Sequence, residues 1–134
     1  MLKGFEEQTT ELTDYELQKI GPILIQGFYT KIGKDKAVTN SFICENVNQN
    51  FSLKQPLTEP RVRKCINYIR TKNLIPFLIA TSKGYYVATT RQELIDWRDS
   101  IQGRINSIQE VLNYAQKQVD NWGQPKQETQ QKLF

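Results

Sequence analysis

The chain has no histidine, only two cysteines and one methionine in 134 residues. No apolar run approaches the roughly 18 residues that a bilayer crossing needs. Without imidazole, and with Cys44 and Cys65 as the only thiols, a single chain cannot assemble a zinc site or a histidine-based proton relay. A Gly-rich phosphate loop, an acid pair in an apolar setting and an activated nucleophile are missing too. The sequence therefore points away from an enzyme, and nothing in it implies a cofactor or a small-molecule ligand. Both cysteines fall among apolar residues at helical spacing, which suits buried free thiols in a reducing compartment. The opening MLKGFEEQTTEL carries no apolar h-region of a secretory signal, so the expected location is cytoplasmic, with no membrane partner. Apolar residues make up 38% of the chain, low enough to expect part of it outside one packed core.

Charge is unevenly spread. Residues 1–30 hold 2 basic and 5 acidic side chains, residues 31–83 hold 10 and 3, and residues 84–134 hold 6 of each. A basic centre between acidic and neutral flanks is the footprint of a polyanion-binding module.

Residues 1–12 are polar and read as a flexible N-terminal segment. Thr13 and Glu16 then have capping-box spacing. Leu17, Ile20, Leu24 and Phe28 follow on one helical face, with a kink expected at Gly21-Pro22 and an end at Lys31–Gly33. A short extended piece, Lys36–Val38, leads to a helix capped by Thr39 or Asn40, with Phe42, Ile43, Cys44 and Val47 on its buried side. Asn50 to Leu57 is a turn. A third helix opens at Thr58 with Pro60 in its first turn, and Val62, Cys65, Ile66 and Ile69 form its apolar stripe. Two β runs, Leu74–Thr81 and Tyr85–Thr89, flank Ser82-Lys83-Gly84 as a hairpin.

From Thr90 a second capping box with Glu93 opens a long helix, expected to reach Trp122. Ile101, Ile105, Ile108, Leu112, Ala115, Val119 and Trp122 are spaced 4, 3, 4, 3, 4 and 3, a heptad seam. An exposed seam of this length is a liability in a monomer. The first six of these residues are therefore the candidate homodimer contacts, while folding back on the same chain and docking a different protein remain open. Trp97, just off the seam, is expected to anchor the helix to the preceding domain. Residues 123–134 read as a flexible tail.

The element order predicts a mainly α fold with a small β-hairpin wing (α+β): a winged helix-turn-helix over residues 13–90 and a long C-terminal helix over 91–122. Such a domain presents its third helix to the major groove and its wing to phosphate. On a helical wheel Lys64, Asn67 and Thr71 point outward toward base edges, with Arg61 beside them. Arg63 and Arg70 sit to one side and suit phosphate, as does Lys83 at the wing tip. Double-stranded DNA is thus the expected partner. The alternative is a protein-interaction module in which the winged helix is scaffold and the last helix is the docking surface.

Two stretches carry a family resemblance. Ile75-Pro76 followed by Ala80-Thr81-Ser82-Lys83-Gly84-Tyr85-Tyr86-Val87-Ala88 resembles the ending G-(I/V)-P-I … S-x-K-G-Y-Y-(I/L)-A of biotin-repressor-like winged-helix domains. It is also similar to small winged-helix proteins of phages and prophages of Gram-positive bacteria. Residues Arg61 to Arg70 resemble the R-x-V-R-x-x-I-x-x-L-R style of their recognition helix. The resemblance implies a bacterial or phage-encoded transcriptional regulator or replication-accessory factor. Those domains join their second and third helices through three or four residues with a glycine, whereas here about eight residues intervene and none is glycine.

Overall fold

A computed structural model describes residues 11–124. Most of the segments expected to be flexible, 1–12 and 123–134, thus lies outside the described residues. The chain divides into two compact units, Met1–Trp97 and Arg98–Phe134. It is α+β: mostly helical, with one two-stranded antiparallel hairpin and a long C-terminal helix.

The capping box forms as read: the Glu16 amide donates to Thr13 Oγ1 at 3.1 Å and the Thr13 amide to Glu16 Oε1 at 2.8 Å. A π-helical stretch, Glu16–Ile20, then runs into α1, Gly21–Phe28. The expected kink takes this form because Pro22 has no N–H to offer Gln18. The helix widens instead, and the Gly21 amide donates to the Glu16 carbonyl one residue further back. A wider turn advances each residue through a smaller angle, so the inward line becomes Glu16, Ile20, Leu24 and Phe28. Leu17, expected on that face, is 40% exposed, and Glu16 is 1% exposed. Helix α1 ends before Lys31, and Gly33, at φ 93°, precedes a 3₁₀ turn, Lys34–Lys36, instead of closing the helix.

Thr39 caps α2, Asn40–Asn50, by accepting from the Phe42 amide at 3.1 Å. Ile43 and Val47 turn inward, but Phe42, expected beside them, is exposed. The long turn to α3, Glu59–Thr71, is held by Tyr15, whose hydroxyl accepts from the Lys54 amide at 3.1 Å, and by Asn48. Asn48 accepts from the Leu57 amide at 2.7 Å and donates to its carbonyl at 3.0 Å, which holds Leu57 in the core. Val62, Cys65, Ile66 and Ile69 on α3 are completely buried. At about 1.5–3 kcal/mol for each aliphatic side chain removed from water, this stripe fixes which way α3 faces. Thr58 holds the N-cap position without a side-chain bond, and Asn73, at φ 52°, follows the helix in left-handed geometry.

The hairpin pairs β1, Leu78–Thr81, with β2, Gly84–Val87. The first strand is shorter than expected: Leu74–Phe77 is turn, because Pro76 cannot donate to a ladder and Phe77 sits at φ 67°. Strand β2 also touches the loop after α1: Val38 and Tyr85 exchange backbone bonds at 2.7 and 3.0 Å, and Ile32 bridges Val87. Tyr86 is the inward tyrosine and packs with Ile79, Ala88, Leu94 and Trp97. The last helix, α4, is Arg91–Asp120. It stops two residues short of Trp122, and its opening turns belong to the first unit. No helix among the described residues is long and apolar enough to cross a membrane.

Candidate nucleic-acid interface

The buried stripe of α3 decides what its other side can present. Arg63, Asn67 and Thr71 are exposed on that helix, and Lys72 is exposed just after it. Lys64, Asn67, Tyr68, Thr71 and Lys72 form one wall of a groove of about 550 Å³, with Glu11, Leu12 and Leu17 opposite. The outer face of α3 is therefore accessible along its length but edged by an acidic residue.

Four of the seven expected contact residues, Arg61, Lys64, Arg70 and Thr71, already have side-chain partners within the chain. Lys64, placed outward by the helical wheel, turns its Nζ to Glu16 Oε1 at 2.9 Å, and Arg61 Nε lies 3.4 Å from Glu16 Oε2. Roughly a quarter of each basic side chain stays exposed, 24% for Lys64 and 28% for Arg61. Burial drives the Glu16 carboxyl upward, but the Thr13 amide and the Lys64 ammonium outweigh it and hold it below the usual carboxylate range. Arg70, expected at phosphate, stacks on two rings. Its guanidinium carbon lies 5.9 Å from the Tyr85 ring centre and 5.4 Å from that of Trp97. This joins the end of α3 to the hairpin and to the first turns of α4, and Trp97 is the anchor the sequence suggests.

The Thr71 hydroxyl donates back to the carbonyl of Asn67 at 2.9 Å, which leaves its oxygen as an acceptor only. Arg63 and Asn67 stay exposed, four residues apart on one side of the helix. Lys83 is exposed at the hairpin tip and lines a shallow cleft with Lys34, Asp35 and Ala37. Gly84 has a role in the fold. At φ 117° any Cβ would run into the Val38 carbonyl, so glycine is what lets β2 press against that loop.

Sequence reasoning missed Glu16 as an internal counter-ion, since its capping-box role accounted for it fully. Only its position four residues before Ile20 hinted at burial. Glu93 closes the second capping box as expected, but its bonds from Tyr86 and Thr89 were not legible, and its carboxylate collects five hydrogen bonds. Tyr86 Oη donates to Oε2 at 2.7 Å, and the amides and hydroxyls of Thr89 and Thr90 donate to Oε1 at 3.0–3.1 Å. The Tyr86 bond leads these in lowering the Glu93 carboxyl to about 2, and burial with that same bond raises Tyr86 to about 12. Cys44 and Cys65 are free, and burial pushes the Cys65 thiol up to about 11, so it is a core residue and not a nucleophile.

In comparisons with known proteins the chain matches no family model, no curated protein and no solved structure.

Proposed function

We propose that this protein binds double-stranded DNA as a homodimer, with α3 entering the major groove and the hairpin tip resting on the backbone in the manner of a winged helix-turn-helix. A transcriptional regulator or a phage replication-accessory factor fits this reading. The observation that carries it is the two-sidedness of α3. One side is fully buried, and the other exposes Arg63, Asn67 and Lys72 next to a groove, within a stretch that is strongly basic overall.

The internal partners redistribute the roles. Asn67 is the base reader, because a carboxamide can pair bidentately with adenine. Arg63, Lys72 and Lys83 are the phosphate ligands. Arg61 and Lys64, half neutralised by Glu16, contribute less charge to the polyanion than an unpaired pair would. Arg70 orients the helix against the hairpin.

Selection from a random duplex pool followed by salt titration tests this. Binding that neutralises Z phosphates falls with a log–log slope of about −0.9Z. Three contacts give a slope of about −2.7 per protomer by that relation, and Lys83→Ala should flatten it by about 1 per protomer while leaving the preferred sequence unchanged. Asn67→Ala should instead relax the sequence preference. A slope near zero, or no enriched sequence, contradicts DNA recognition. That result would favour the second reading, a scaffold whose exposed α4 seam holds a different protein.

A further inference from the structure

The seam of α4 is unusually bare. Every residue from 102 to 124 is exposed, and Ile105, Ile108, Leu112 and Val119 are each more than half exposed. Most helical stability in proteins comes from packing an apolar face, so a packing partner is what this seam calls for. The residues beside the seam indicate which partner and in which direction.

With Ile105, Leu112 and Val119 at heptad position a, the d positions are Ile101, Ile108, Ala115 and Trp122. The e positions are Gln102, Gln109 and Gln116, and the g positions are Arg104, Val111 and Gln118. The flanks thus hold a single charge. Each e-position glutamine is also held along its own helix. Gln102, Gln109 and Gln116 donate to Asn106, Asn113 and Asp120 at 2.9, 2.9 and 2.8 Å, a bond repeated every seven residues. Flanks of this kind suit neither an acidic nor a basic partner, whose charges would be desolvated against neutral amides.

We propose that the seam pairs with the same seam of a second copy, antiparallel, centred on residue 110. This rests on reading α4 as the self-association surface, and it deepens that reading by fixing partner, direction and register. Three features support antiparallel over parallel. In an antiparallel pair the a and d residues meet as Ile101 with Val119, Ile105 with Ala115, and Ile108 with Leu112, so the small Ala115 faces a large side chain. A parallel pair stacks Ala115 on Ala115 and Trp122 on Trp122, leaving a void in one layer and crowding another. Antiparallel geometry also sets g against g and e against e. Val111, 66% exposed in the single chain, then meets its own copy at the centre, and glutamine meets glutamine. The parallel pair would put Val111 against Gln116.

Cysteine cross-linking in a Cys44→Ser background, with sedimentation on the full chain, tests the proposal. Residues 101 and 119 of opposite copies should be adjacent. The two copies of residue 101 should be about 27 Å apart, eighteen residues at 1.5 Å each. Mixing Ile101→Cys with Val119→Cys protein should therefore give a heterodisulfide, with neither variant cross-linking to itself. Self-cross-linking of Ile101→Cys alone would establish a parallel pair and overturn the proposal. A monomer at 100 µM in the unsubstituted protein would overturn self-association altogether, whereas duplex binding measured on that sample reports separately on the DNA reading. Because the flanks are nearly uncharged, the dimer should show less than a threefold change in Kd between 50 and 500 mM salt, a second readout that does not depend on the cysteine variants folding.

Discussion

Glu16 is the residue on which the position of α3 most depends. A carboxylate 1% exposed meets two cations of that helix and closes its own capping box. Removing its charge leaves Arg61 and Lys64 without their counter-ion, a loss of about 1–3 kcal/mol in a site of this kind. Glu16→Gln should lower the urea midpoint accordingly. An unchanged midpoint would show that the ion pairs contribute nothing net. Glu93 and Tyr86 set the pH limits. A carboxyl held near 2 against an ordinary 4.5 contributes stability above pH 4.5 that is lost as pH falls toward 2. Glu16, also lowered, adds to the same acid limb. A phenol raised to about 12 from 10 contributes stability below pH 10 that is lost as pH rises toward 12, and the Cys65 thiol at about 11 acts in the same direction. Thermal melts across pH should therefore lose stability at both ends. Glu93→Gln should flatten the acid limb, and Tyr86→Phe the alkaline one.

At the scale of elements, the hairpin depends on a close backbone approach. Gly84→Ala forces a left-handed alanine against the Val38 carbonyl, and the cost should exceed the roughly 1 kcal/mol of unfavourable αL geometry alone. Loss of hairpin amide protection in hydrogen exchange, with α1 protection retained, is the expected signature. Most of the elements were legible in the sequence because periodicity and capping agree. The α3 stripe of Val62, Cys65, Ile66 and Ile69 is buried as its spacing requires, and both capping boxes form. What was not legible depends on tertiary partners. Leu17 left the core because Pro22 induced a π stretch, an effect no regular 3.6-residue wheel contains. Leu74–Phe77 read as strand from its apolar content, but Pro76 and the positive φ at Phe77 turn it into a connection. The same limit applies at the candidate interface. A wheel can separate Lys64 from the core stripe, but it cannot see Glu16 arriving from 48 residues away to claim its ammonium. Nor does sequence spacing show Arg70 meeting Tyr85 and Trp97. Exposure of Arg63, Asn67 and Lys83 was the part that simple patterning could reach.

For the whole molecule, the account joins a basic domain to a bare helical seam. The two surfaces should differ in their response to salt, since phosphate contacts are screened and apolar contacts between uncharged flanks are not. Leu112→Glu places a charge in the central layer of the paired seam. It should weaken self-association at least 100-fold, about 3 kcal/mol, without unfolding residues 11–97, whose core lies elsewhere. If DNA sites are read by pairs, that variant should also lose affinity for a two-half-site duplex more than for a single half-site. The most direct test of the central claim is the salt dependence of duplex binding by the full chain and by Arg63→Ala. A steep log–log decline is predicted for the unsubstituted protein, and a slope shallower by about 1 per protomer for the variant. Equal, near-zero slopes for both would contradict it.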